Sequence, residues 1–103
     1  MSSIYRTKDS AVIKKSSYIT ETEKVLVVLP YENQGENDSV KITLNHSITN
    51  HIVIKAMTNC IIDSPQSFDL EYDEMELSKF ASIELKNIAN TWYILSSDGL
   101  KNS

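Results

Sequence analysis

Apolar and polar residues alternate with a period of two along much of this chain, and that rhythm predicts strands. In 39–45 (SVKITLN), Val40, Ile42 and Leu44 fall on one face and Lys41 and Thr43 on the other. In 67–72 (SFDLEY), Phe68, Leu70 and Tyr72 alternate with Asp69 and Glu71; in 81–86 (ASIELK), Ile83 and Leu85 alternate with Ser82, Glu84 and Lys86. Successive side chains of a strand point to opposite faces, so each segment reads as a strand with one buried and one wet side.

Three segments are apolar on both faces: 24–29 (KVLVVL), 51–57 (HIVIKAM) and 91–96 (TWYILS). Such strands lie centrally, or set one face against a neighbouring subunit. Val25, Val27, Ile52, Ile54, Ile83, Leu85, Trp92, Tyr93 and Ile94 are therefore expected in the core or at an interface between copies. AVIK and SYIT, nearer the start, add short edge strands. Between these runs stand turn-like stretches rich in Asn, Asp, Ser and Pro, at 30–38, 45–50, 63–66, 87–90 and 96–99. Strands recurring at such short intervals predict an all-β domain, an antiparallel β-sandwich of jelly-roll type or a small barrel. The one helix candidate is 73–81 (DEMELSKFA), where Met75, Leu77 and Phe80 fit helical spacing roughly; a loop entering the next strand fits as well.

The chain has 103 residues, one domain by length, with a net charge of −4. The charge is uneven. Residues 1–16 hold Arg6, Lys8, Lys14 and Lys15 against Asp9, a balance of +3, which leaves −7 for the rest. This predicts a flexible basic arm, 1–16, docking on a partner, and a β domain over 17–103. The acidic balance argues against nucleic acid as a partner, since phosphate binding needs clustered Lys and Arg. Cys60 is the only cysteine, so no internal disulfide is expected. No apolar run near the start suits a secretory signal, and 25–30 is far too short to span a bilayer. The two sequons, at Asn37 and Asn45, are then expected to be idle.

Candidate chemistry is sparse. His46 and His51 are the available bases, yet neither sits in a motif that pairs a base with a nucleophile, and Cys60 has no signature around it. His46, His51, Cys60 and Asp63 match no compact zinc spacing. The acidic run 69–76 lacks the glycine of a calcium loop and reads as a solvated face. Gly35 and Gly99 are the only glycines, too few for a phosphate cradle. The expectation is no enzyme, no cofactor and no metal. A small cellular enzyme using His46, His51 and Cys60 is the least favoured alternative.

The end of the chain, ASIELKNIANTWYILSSDG, resembles the closing hairpin of small β-domains in phage and large DNA-virus structural proteins, such as tail fibres, head fibres and capsid-decorating proteins. Ser82, Ile83 and Leu85 match its first strand, Asn90 its turn, and Trp92, Tyr93 and Ile94 its second strand. KNIAN departs from the glycine-containing turn of that pattern. The resemblance extends more loosely over 17–95. It implies a homotrimer on the virion surface, made in the host cytoplasm, with no catalytic residues to carry over. Richness in Ile, Lys and Asn suits the AT-rich genomes of such viruses.

The expected function is thus a virion structural protein, a minor capsid, capsid-decoration or fibre component, acting through assembly with itself and other virion proteins. Trp92 is expected as a core or interface plug, because an aromatic pair buries far more surface than other pairs. The rival is a module at a fibre tip that binds a host receptor or glycan, with Tyr31 and then Tyr72 as the aromatic candidates.

Overall fold

A computed structural model describes residues 4–101, and every regular element in that range is a strand. In chain order these are β1 (Ile4–Arg6), β2 (Ser10–Ile13), β3 (Ser17–Ile19), β4 (Val25–Val28), β5 (Val40–Thr43), β6 (His51–Ala56), β7 (Cys60–Phe68), β8 (Tyr72–Ile88) and β9 (Thr91–Lys101). They form one mixed sheet in the order β1-β2-β4-β6-β8-β9-β7-β5-β3, curled into a half-barrel.

The all-β expectation holds, but the pairing is mixed where antiparallel was expected. β2, β4 and β6 form one parallel ladder; β3, β5 and β7 form another. Parallel strands cannot be joined by a tight hairpin and need a crossover. Here the crossover from each strand to the next in its ladder carries a strand of the other ladder. The chain therefore winds back and forth: the separators 30–38 and 45–50 join strands that do not pair, 87–90 is a hairpin between the paired β8 and β9, and the expected turns at 63–66 and 96–99 lie inside β7 and β9. β8 closes the fold: its first half pairs antiparallel with β7 (Asp63↔Glu74, Cys60↔Leu77) and its second half with β6 (Ile54↔Ile83, Ile52↔Leu85). β9 runs antiparallel along β8.

One core fills the concave side. Ile13, Leu26, Val28, Ile52, Ile54 and Ala56 come from the first ladder, and Tyr18, Val40, Ile42, Cys60 and Ile62 from the second. Met75, Leu77, Ala81, Ile83 and Leu85 complete it from β8, with Trp92 from β9. A relay of hydrogen bonds pins the loops beneath it. Asn45 N–H donates to Thr20 Oγ1 (2.9 Å), Thr20 and Thr49 share a bond of 2.8 Å, and Thr49 Oγ1 donates to the Glu21 carbonyl (2.8 Å). The two threonines are buried, and the relay leaves neither hydroxyl unpaired.

Several expectations are corrected. Residues 4–16 are not a detached arm: they supply β1 and β2, and Ala11 and Ile13 are buried in the core. The alternation in 67–72 breaks after Phe68, because Asp69 and Leu70 adopt positive φ (52° and 61°) and turn the chain into β8, leaving Leu70 exposed. Neither helix nor loop forms over 73–81, which lies inside β8. Of the two places expected for Val25 and Val27, core or interface between copies, the core side of β4 is filled by Leu26 and Val28, and the two valines lie on its opposite face. The turn at 87–90 manages without glycine by holding Ala89 and Asn90 at φ 53° and 65°, the two left-handed positions of a tight hairpin joining Ile88 to Thr91.

Candidate functional site

Trp92 is fully buried within the single chain. β9 places it beside Phe68 of β7 and Asn87 of β8, and its indole N–H donates to Ser64 Oγ at 3.0 Å. The Asp69 amide donates to its carbonyl at 2.7 Å. A ring with its face covered and its one donor satisfied offers nothing to a sugar or to a second copy, so Trp92 is a core plug. Tyr93 and Ile94 are half-buried, and Ile94 packs on the core edge. Ile52, Ile54, Ile83 and Leu85 are buried as expected.

The candidate nucleophile and bases are not brought together. Cys60 lies beneath a polar cleft of about 200 Å³ lined by Glu36, Asn37, Ser39, Asn59, Glu76 and Ser78. Burial pushes its thiol from 9.0 up to about 12, and its S–H donates to the Thr58 carbonyl (3.3 Å), so it holds its proton at neutral pH. His51 Nε2 meets Glu84 Oε2 at 2.7 Å, and Ser96 Oγ donates to Glu84 Oε1 at 3.3 Å. Glu84 thus stands between the imidazole and the hydroxyl, whereas activation of a serine requires the base to hold the hydroxyl proton itself. His46 is exposed in the 45–50 turn. Asp63 accepts from Thr43 Oγ1 (2.7 Å) and pairs with Lys41 (3.3 Å). Among the described residues, no three His, Cys, Asp or Glu side chains gather to hold a metal.

The four basic residues of 1–16 also part company. Lys8 lies in the β1–β2 turn and Lys14 and Lys15 in the β2–β3 turn, at opposite ends of β2, all exposed. Arg6 turns inward on a cluster that sequence reasoning missed. Its Nη1 donates to Glu23 Oε1 (2.9 Å), and its Nη2 donates to Tyr18 Oη (2.7 Å) and pairs with Glu21 (3.1 Å). Tyr18 Oη donates to the same Glu23 oxygen at 2.7 Å, and the Glu21 amide donates to Glu23 Oε2 at 2.7 Å. β1 and β3 are the two outer strands of the curled sheet, so this cluster stitches its edges together.

Burial, then the neighbouring Glu23 carboxylate, pushes the Tyr18 phenol from 10.0 up to about 12, with Arg6 pulling the other way. Tyr18 and Cys60 both bind their protons more tightly folded than unfolded. Their contribution is complete below the unfolded values, 10.0 and 9.0, and is lost as pH climbs toward about 12. Unfolding free energy, measured by denaturant titration, is therefore expected to fall between pH 9 and 12. Tyr18→Phe and Cys60→Ala are each expected to flatten that slope; unchanged slopes in both variants contradict the assignment.

The most exposed apolar side chains, Leu70, Tyr5, Ile19 and Phe80, are scattered over the surface, whereas the outer face of the first ladder carries a contiguous row of partly exposed valines. Val12 lies beside Val27, and Val25 beside Val53, across three adjacent strands. Val25 is 37% exposed and the other three are half-buried. Lys55 flanks this patch on β6, its Nζ donating to the Phe80 carbonyl (2.7 Å), and the His51–Glu84 pair flanks it beyond Val53. Tyr31 and Tyr72, the candidates for glycan contact, are half-buried with their rings packed on the core. The chain matches no family model, no curated protein and no solved structure.

Proposed function

We propose that this protein is a virion structural component, of minor capsid, capsid-decoration or fibre type, that works by assembling with copies of itself. The observation that carries the reading is the row of outward valines, Val12, Val25, Val27 and Val53, on β2, β4 and β6. A β-branched patch on the wet side of a sheet stabilises little in a lone subunit and much when a second surface covers it. The resemblance of Ser82–Ile94 to the closing hairpin of virus β-domains supports the virion setting and a threefold arrangement. In that arrangement the ladders β2–β4–β6 and β3–β5–β7 act as the two layers of a sandwich-like body, and the valine layer faces the symmetry mates. Trp92 takes no part in the contact. Other virion proteins are the remaining partners, reached through the exposed Lys8, Lys14 and Lys15.

Mass measurement of the purified chain in solution tests the reading. An oligomer is expected, and Val25→Glu with Val53→Glu is expected to yield folded, smaller species. A wild-type chain that stays monomeric at every concentration overturns it. The receptor-binding rival draws no support from Tyr31 or Tyr72, whose rings serve the core.

A further inference from the structure

We propose that the lysine-flanked valine face of one copy seats on the acidic outer face of the next copy, formed by Ile61 and Asp63 of β7 with Glu74 and Glu76 of β8. The inference rests on the self-association reading and names the surface that the valine face meets.

Both ladders send alternate side chains into one core, so each turns the others outward on its own side of that core. β8 spans the two sides, pairing with β7 over residues 74–77 and with β6 over 82–86. Charge divides along it. Its first half carries Asp73, Glu74 and Glu76, with no cation before Lys79. On the valine side, Lys55 stands beside Val27 across β4 and β6, and the exposed Lys24 precedes Val25. The acid on that side, Glu84, is already engaged by His51 at 2.7 Å and Ser96 at 3.3 Å. β9 adds one charge to each rim, Asp98 in register with Ser82 and Lys101 with Glu76.

The acidic face is built in a way that calls for cations. Asp63 and Glu74 stand directly opposite each other on β7 and β8, and Glu76 follows on the same face beside Ile61. Like charges set opposite one another destabilise a ladder. Lys41 answers Asp63 at 3.3 Å, while the side chains of Glu74 and Glu76 are exposed. Glu76 also walls the polar cleft over Cys60, whose other charged wall is Glu36, so a cation arriving there meets two carboxylates.

The two faces carry the same arrangement with opposite sign: Val27 beside Lys55, and Ile61 beside Glu76. Seating valine on isoleucine therefore sets an ammonium on a carboxylate. Two valine faces set against each other leave the acidic face idle. A contact between two different faces is heterologous; repeated, it closes a ring, such as the threefold one of the assembly reading, or runs on as a fibre.

The test mixes two disabled variants of the full chain. Val25→Glu with Val53→Glu removes the valine face, and Ile61→Lys with Glu76→Lys removes the acidic one. Each variant alone is expected to be a folded monomer by native mass and thermal melt. An equimolar mixture is expected to form a one-to-one dimer, since one intact valine face then meets one intact acidic face. Single charge reversals keep the proposal open to test where a double variant fails to fold. Lys55→Glu and Glu76→Lys are each expected to weaken assembly about tenfold or more, and the two in one chain to restore it. An acidic-face variant that assembles like the wild type, or a mixture that stays monomeric, overturns the proposal and leaves the assembly reading standing. A wild-type monomer at every concentration overturns both.

Discussion

Replacing Trp92 by alanine is expected to destabilise the fold by about 3–5 kcal/mol, the usual cost of emptying a buried aromatic site. The side chain has no exposed surface, and its neighbours are held by the sheet on three strands, so the site collapses poorly. The loss also takes the indole donor from Ser64 Oγ, which keeps its bonds with Gln66, accepting from the amide at 3.3 Å and donating to Oε1 at 3.0 Å. Set against a typical total of 5–15 kcal/mol, such a loss leaves a chain of this size marginal or unfolded at room temperature. Trp92→Phe keeps most of the volume and loses the hydrogen bond, so a smaller cost of about 1–2 kcal/mol is expected. Denaturant titration followed by far-ultraviolet circular dichroism measures both. An alanine variant as stable as the wild type contradicts the core-plug assignment.

The strands were legible in the chain because alternation is local. Val40, Ile42 and Leu44, or Ile83 and Leu85, declare their buried face within a few residues, and the structure buries each of them. Pairing was not legible. A polar separator reads alike whether it folds a strand back on its neighbour or carries it over to the opposite ladder, so the parallel winding left no mark on the sequence. Two-sided strands posed a related difficulty. In KVLVVL both parities are apolar, and only the place of β4 between β2 and β6 decides that Leu26 and Val28 turn inward.

The helix candidate failed for a specific reason. Counting Met75, Leu77 and Phe80 suggested a helical period, whereas Met75, Leu77, Ala81, Ile83 and Leu85 are the residues buried, all of one parity. Phe80 stands outside that series. It adopts φ 73° at an irregularity in the β8–β9 register, and its ring is 57% exposed. Between Leu77 and Ser82 β8 advances five residues while β9 advances two, so the buried parity lapses at Lys79 and Phe80, both exposed, and resumes at Ala81. The edge cluster was less legible still. Nothing in TETEK separates Glu23 from its solvated neighbours, and Arg6 read as part of a basic arm. Their meeting depends on the sheet curling until its first and last strands approach.

Removing Arg6 is the second change expected to have a large effect, and its size relative to the loss of Glu23 tests how the cluster works. The Glu23 side chain is 1% exposed, whereas Arg6 is 35% exposed. Arg6→Met leaves a buried carboxylate with only the Tyr18 hydroxyl and the Glu21 amide to answer its charge, and stranding a buried charge costs on the order of 3 kcal/mol. Glu23→Gln leaves the guanidinium near water and close to Glu21, so its expected cost is smaller, about 1–2 kcal/mol. Replacing both, as Arg6→Met with Glu23→Leu, exchanges the ion pair for apolar contact at a site that already excludes water. The double variant is expected to be more stable than Arg6→Met alone, and with the single Glu23→Leu completing the double-mutant cycle the coupling is expected to be about 1 kcal/mol or more, the size seen for groups in contact. The stitch also holds β1 to the far edge of the sheet. Hydrogen exchange at Tyr5 and Val12, which face each other across the β1–β2 ladder, is therefore expected to accelerate in Arg6→Met before the central strands respond. Equal costs for the two single changes, or strict additivity in the double, contradict a buried carboxylate held mainly by Arg6.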